Sequence, residues 1–186
     1  MNKIKIIVLL ISLTSLISCG GALLPGSSDP YKKIEYMSTA MAQGRWIPAE
    51  RYVKEALAIF QERNDKQGIA EAYLAYANYY KYGNWCKFEK DLCPKGSISL
   101  PKSVEYSKKS ITLFEKLKNS FGVARATFLL ANTYGKIGEL DKTCKLYDKS
   151  LLAYEKSKPQ NEAPHVNINY KENFGNMVNK FKNKFC

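Results

Sequence analysis

The stretch Ala126 to Ser157, "ATFLLANTYGKIGELDKTCKLYDKSLLAYEKS", decides the fold. Thr127, Leu130, Ala131 and Tyr134 recur at the i, i+3, i+4, i+7 positions of one helical face. Gly138 then supplies a turn, since glycine tolerates the left-handed backbone that ends many helices. Beyond it, Thr143, Tyr147 and Ser150 place a small, an aromatic and a small residue on one face of a second helix. Small residues let two helices approach closely, and the larger ones fill the neighbouring grooves. The spacing predicts a tight helical hairpin.

The same signals recur outward along the chain. "QGRW" at Gln43 to Trp46 is echoed by "YGNW" at Tyr82 to Trp85, and "IGEL" at Ile137 to Leu140 is a third echo. "QERNDKQGIAEA" around Gly68 is answered by "EKLKNSFGVARA" around Gly122. Unit one supplies Tyr36, Met37, Ala40, Gly44, Ala49, Val53 and Ala56. Unit two supplies Tyr73, Tyr76, Ala77 and Tyr80, then Ser103, Ser107 and Ser110. Its turn glycine, Gly83, follows Tyr80 slightly sooner than Gly138 follows Tyr134. This pattern resembles the tetratricopeptide repeat, with Thr in place of Trp and small polar residues in place of some alanines. The resemblance covers about Asp29 to Pro159. It implies an all-α, right-handed solenoid of about three helix pairs over residues 30–159, each pair burying its apolar face on the next. A generic helical bundle is the rival architecture.

The tail, residues 160–186, contains "HVNINYKENFGNMVNKFKNKFC" and reads as a last helix. Ile168, Phe174, Val178, Phe181 and Phe185 recur at roughly helical spacing, with lysines elsewhere. A stacked array needs a terminal cap with a polar outer side, which this segment suits. A helix lying on a membrane surface is the alternative.

The chain opens "MNKIKIIVLLISLTSLISCGG". A short basic start and an apolar run from Ile6 to Ile17 read as a secretory signal, too short to span a bilayer. "LISC" followed by Gly20 resembles a bacterial lipoprotein signal. That resemblance implies cleavage after residue 18, acylation of Cys19, and a Gly/Ser-rich tether over residues 19–29. Gly rather than Asp after the cysteine is similar to lipoproteins sorted to the outer membrane, so a lipid-anchored, periplasm-facing protein is expected. The formal charge is +12, from 29 basic and 17 acidic residues. Loss of Lys3 and Lys5 with the signal leaves 27 basic residues against 17 acidic, about +10. In an envelope protein such charge suits anionic lipid or an acidic partner rather than nucleic acid.

Of five cysteines, acylation takes one and leaves four, an even number in an oxidising compartment. Consecutive helices run antiparallel, so the end of the last helix should return to the start of the last repeat's second helix. That predicts Cys144–Cys186 and leaves Cys86 to pair with Cys93. Zinc is disfavoured by a single histidine, His165, and by the absence of close Cys spacing. The interval from Trp85 to Ser103 is far longer than its equivalent from Trp46 to Ala49, so an insertion at 86–100 is expected in the turn of unit two. Pro94, Gly96 and Pro101 argue for a loop there. Lys87, Phe88, Lys90 and Leu92 would project from it as contacts.

The repeat resemblance also implies a groove on the first helices. Asn78, Lys81, Arg125, Phe128, Asn132 and Lys136 are its expected lining, with Glu71 and Leu74 beside them. In peptide-binding members of the family, asparagines hold the ligand backbone and basic residues hold a carboxylate. No catalytic constellation, phosphate loop or cofactor signature is legible, so no enzyme activity and no cofactor are expected. The expected role is an envelope scaffold or assembly accessory binding an acidic protein or extended peptide, as in pilus or secretion machinery. An immunity or inhibitor lipoprotein against a periplasmic toxin, and a binder of anionic lipid or glycan, are the alternatives.

Overall fold

A computed structural model describes residues 27–82, 99–157 and 168–186. Cys19, Cys86, Cys93, Lys87, Phe88, Lys90, Leu92 and His165 lie outside them. The described residues form seven helices and no strand. These are α1 (Pro30–Ala42), α2 (Trp46–Glu62), α3 (Lys66–Tyr82), α4 (Leu100–Lys116), α5 (Ser120–Ile137), α6 (Leu140–Ser157) and α7 (Ile168–Phe185). None of them is long and apolar enough to cross a membrane.

Local chemistry sets the helix ends. Asp29 accepts from the Tyr31 amide at 2.9 Å, and Pro30 opens α1, where its missing N–H has no cost. Ser99 caps α4 by accepting from the Lys102 amide at 3.2 Å. Leu100 and Pro101 therefore belong to the first turn of α4 and not to the loop expected over 86–100, whose residues 86–98 lie outside the described residues. Pro is pre-set for that position, so a residue read as a breaker is a starter. Gly138 ends α5 at φ +96°, and Gly44 turns the chain after α1 at φ +71°.

Each helix packs antiparallel on its predecessor. Lys33 pairs with Glu55 across α1 and α2, and Trp46 lies by Tyr79 across α2 and α3. Ser103 and Ser110 reach the Ala77 and Ala70 carbonyls across α3 and α4, at 2.8 and 2.9 Å. Ser150 does the same to Ala124 across α5 and α6, at 2.8 Å. These serines stand where alanine would fill the same space. They still allow close approach, because the facing carbonyl satisfies each buried hydroxyl. Ala40, Ala49, Val53, Ala56, Ala77 and Ala131 are fully buried at the same interfaces.

The turn joining one hairpin to the next is built twice. Asn64 and Lys118 both adopt positive φ, at 51° and 56°. The residues after them, Asp65 and Asn119, accept from the Gly68 and Gly122 amides at 2.9 and 2.7 Å. Phe60 and Phe114, both fully buried, lie where a methyl on Gly68 or Gly122 would stand. The members of every one of these pairs are offset along the chain just as Gly122 is from Gly68, so the sequence echo is a structural repeat. The slight shortening near the turn of unit two does not disturb this register over the body of α3.

The last helix α7 packs on α6. Phe174 and Val178 are fully buried, and Phe174 meets Phe121 at 5.5 Å and Phe128 at 5.7 Å. Phe181 and Phe185 are only partly covered, at 37% and 36% exposure. Cys144 and Cys186 are joined by a disulfide with Cα atoms 5.8 Å apart. The pairing expected from antiparallel topology is the one the fold contains.

Candidate functional site

The helices α1, α3 and α5 lie side by side, and the face they share is hollowed. One cavity of about 390 Å³ is lined by Glu71, Leu74, Asn78, Lys81, Arg125 and Phe128, with Ile34, Met37 and Ser38 as its α1 wall. A second cavity of about 380 Å³, lined by Met41, Trp46 and Gly44 among others, shares Ser38, Asn78 and Tyr82 with the first. The two form a continuous trough.

The helical period explains which side chains reach it. Residues 71, 74, 78 and 81 share one face of α3, while Tyr76, Tyr79 and Tyr80 point into the core. Among the described residues, the Asn78 side chain makes no hydrogen bond, so its amide is available to a ligand backbone. The equivalent Asn132 is committed. It donates to the Phe128 carbonyl at 2.9 Å and accepts from the Tyr147 hydroxyl at 2.9 Å. Burial pushes that tyrosine hydroxyl up to about 12. Asn132 therefore fixes α6 against α5 and does not line the cavity.

The basic residues also divide. Arg125 is clamped by Glu71, with both side chains largely buried, and its guanidinium lies 5.8 and 5.5 Å from the Phe114 and Phe121 rings. Its charge is neutralised across the α3–α5 seam, so it positions the groove more than it attracts ligand. Lys136 is exposed at the rim and donates to the Lys81 carbonyl at 3.2 Å. Lys81 itself is 5% exposed. Burial, and then the neighbouring Lys136 charge, bring its ammonium down to about 7. Its nitrogen lies 4.2 Å from the centre of the Tyr82 ring, a cation–π contact in a poorly solvated corner. Phe128 supplies an apolar floor, half-buried and braced by Phe181 at 5.4 Å.

Thus Asn78, Lys81, Arg125 and Phe128 come together, while Asn132 and Lys136 serve the walls. The α1 wall was not among the expected lining, although Ile34, Met37 and Ser38 follow the same i, i+3, i+4 spacing. Tyr170 of α7 also lines the trough. No sequence signal reveals it, because its place depends on how α7 docks. Among the described residues, no group of three His, Cys, Asp or Glu side chains gathers as a metal site. Comparison with protein-family models gives no match for this chain, and comparison with curated proteins gives none either.

Proposed function

We propose that this protein is a tetratricopeptide-type scaffold, held at the outer membrane by acyl chains on Cys19, that receives an extended acidic segment of a partner protein in the α1–α3–α5 trough. The observation that carries the reading is the trough itself. It pairs an amide, Asn78, with a buried amine, Lys81, over an apolar floor at Phe128, and among the described residues the amide has no hydrogen bond and the amine no carboxylate partner. An extended peptide offers the complement of each, namely backbone amides, a carboxylate and an apolar side chain. The hairpin repeat, with its doubly built turn, supports the tetratricopeptide assignment. The lipoprotein-like "LISCG" supports the anchor. An amide, an amine and an aromatic ring on one face are groups that hold a peptide, which supports a binding role.

The test is an array of extended synthetic peptides, varied in acidic and apolar positions, probed with the mature full-length protein. Selected peptides are expected to lose about tenfold or more in affinity towards Asn78→Ala and Phe128→Ala, the scale of one or two lost anchors. Binders that ignore both substitutions would sink the assignment of the trough.

A further inference from the structure

A second surface lies on other faces of the same helices. The first helices pack on one another, α1 on α3 and α3 on α5, whereas the second helices α2, α4 and α6 pack mainly on the first helices and flank clefts, with the Glu115–Lys149 ion pair reaching from α4 to α6. One cleft, of about 700 Å³, runs over Ile69 and Leu113 and is rimmed by Lys66, Lys108 and Lys109. The next, of about 270 Å³, runs over Val123 and Ala153 and is rimmed by Lys118, Lys149 and Lys156. They are the same feature in successive repeats. Gln61, Lys66 and Ile69 of the first correspond to Glu115, Ser120 and Val123 of the second, in the register that relates Gly68 to Gly122. Lys109, Thr112 and Leu113 correspond to Lys149, Leu152 and Ala153, in the register that relates Ser110 to Ser150.

Each cleft holds three lysines and one glutamate. Glu105 binds Lys109 at 2.6 Å, and Glu115 binds Lys149 at 3.4 Å. Lys66, Lys108, Lys118 and Lys156 are exposed and have no acidic partner among the described residues. Both clefts therefore join an apolar floor to uncompensated positive rims. Leu152, 59% exposed, adds an aliphatic edge to the second.

We propose that these paired clefts dock an acidic amphipathic helix of a partner protein, one apolar anchor entering each cleft and carboxylates meeting the rim lysines. Charge complementarity selects an acidic ligand. The recessed aliphatic floors select side-chain anchors over the other anionic classes. A membrane needs a continuous protruding apolar stripe. A glycan needs open aromatic faces, yet Phe114 is fully buried and Tyr73 half-buried. Interlocked helices lie about 8–10 Å apart. Since α4 and α6 are not interlocked, the anchors must be at least two helical turns apart, about 11 Å. This surface is independent of the trough.

The experiment is fluorescence anisotropy with the mature full-length protein and labelled, lactam-stapled glutamate-rich helices. The probes carry two leucines on one face, seven or eleven residues apart, and the control carries the same leucines on opposite faces. One of the one-face probes is expected to bind at least about tenfold tighter than the control. Lys108→Glu combined with Lys156→Glu is expected to weaken it about tenfold or more, because attraction becomes repulsion on both rims. Leu152→Ala is expected to weaken it with the charges intact, and Phe128→Ala in the trough to leave it unchanged. Failure of both one-face probes to bind, equal affinity for the control, or indifference to the double reversal would overturn the proposal. So would phosphatidylglycerol vesicles that displace the probe and lose binding in the double variant, which would assign the surface to lipid.

Discussion

Lys81 joins a proposed binding role to a cost in stability. Its equivalent in the third unit is Gly135, which sits close to Thr143 of the next helix. A long cationic side chain therefore occupies a place where the third unit has none, and it lines the trough. The native state favours the neutral amine, since the folded value is lowered to about 7 from the ordinary 10.5. The unfolded chain binds more protons between those two values. Stability from this group thus rises as pH climbs from about 7 towards 10, and is at its lowest below 7. Lys81→Met is expected to stabilise the protein at pH 6, by something on the order of a few kcal/mol, and to lose that advantage by about pH 10. Thermal melts of both proteins across that range measure it. An unchanged difference at both ends would mean that the ammonium is well solvated.

Helix by helix, the decisive contact is a phenylalanine seated on a glycine. Phe60 lies on Gly68 where α2 meets α3, and Phe114 lies on Gly122 where α4 meets α5. Any side chain at these glycines overlaps the ring. Gly122→Ala is expected to cost roughly 1–3 kcal/mol, the scale of overpacking, despite alanine's better helix propensity. Combining it with Phe114→Leu should recover part of the loss, and a chemical-denaturation double-mutant cycle measures that coupling. Additive effects would deny the contact. Much of this was legible in advance. The two glycine-centred echoes mark the inter-hairpin turn, and the small–aromatic–small spacing marks the closely packed faces. The serines of α4 were legible as small residues, but not as donors to the α3 carbonyls. That role needs the antiparallel register, in which Ser103 and Ser110 oppose Ala77 and Ala70.

For the whole molecule, the Cys144–Cys186 bond ties the chain's last residue to the start of α6, across a sequence separation of 42. It holds α7 in place, and α7 supplies Phe174 to the core, braces Phe128 through Phe181 and brings Tyr170 to the trough. Reduction is expected to lower stability by roughly 4 kcal/mol on the chain-entropy argument. It should also raise hydrogen exchange along α7 before α1–α5 respond, because α7 packs mainly on α6. Hydrogen exchange with and without reductant, alongside melting of the Cys144→Ser, Cys186→Ser double variant, checks both. Uniform destabilisation of all helices would show that α7 belongs to the same cooperative unit.

The sequence alone determined the helices, the turns at Gly44 and Gly138, the repeat of the Gly68 and Gly122 turns, and the cysteine partner of Cys144. Each rests on short-range periodicity, or on the alternation of direction that short turns impose on packed helices. It also placed Asn78, Lys81, Arg125 and Phe128 on one face, since a face follows from helical phase. Only the tertiary structure decided which of those groups are open. Asn132 and Asn78 are equivalent in phase, yet one is bound by Tyr147 from the next helix and the other is not. Arg125 and Lys81 are both cations in the sequence, yet one is neutralised by Glu71 and the other is left to desolvation. Phase is a property of one helix, whereas availability depends on what neighbouring helices bring to the same space, and their side chains lie far away along the chain.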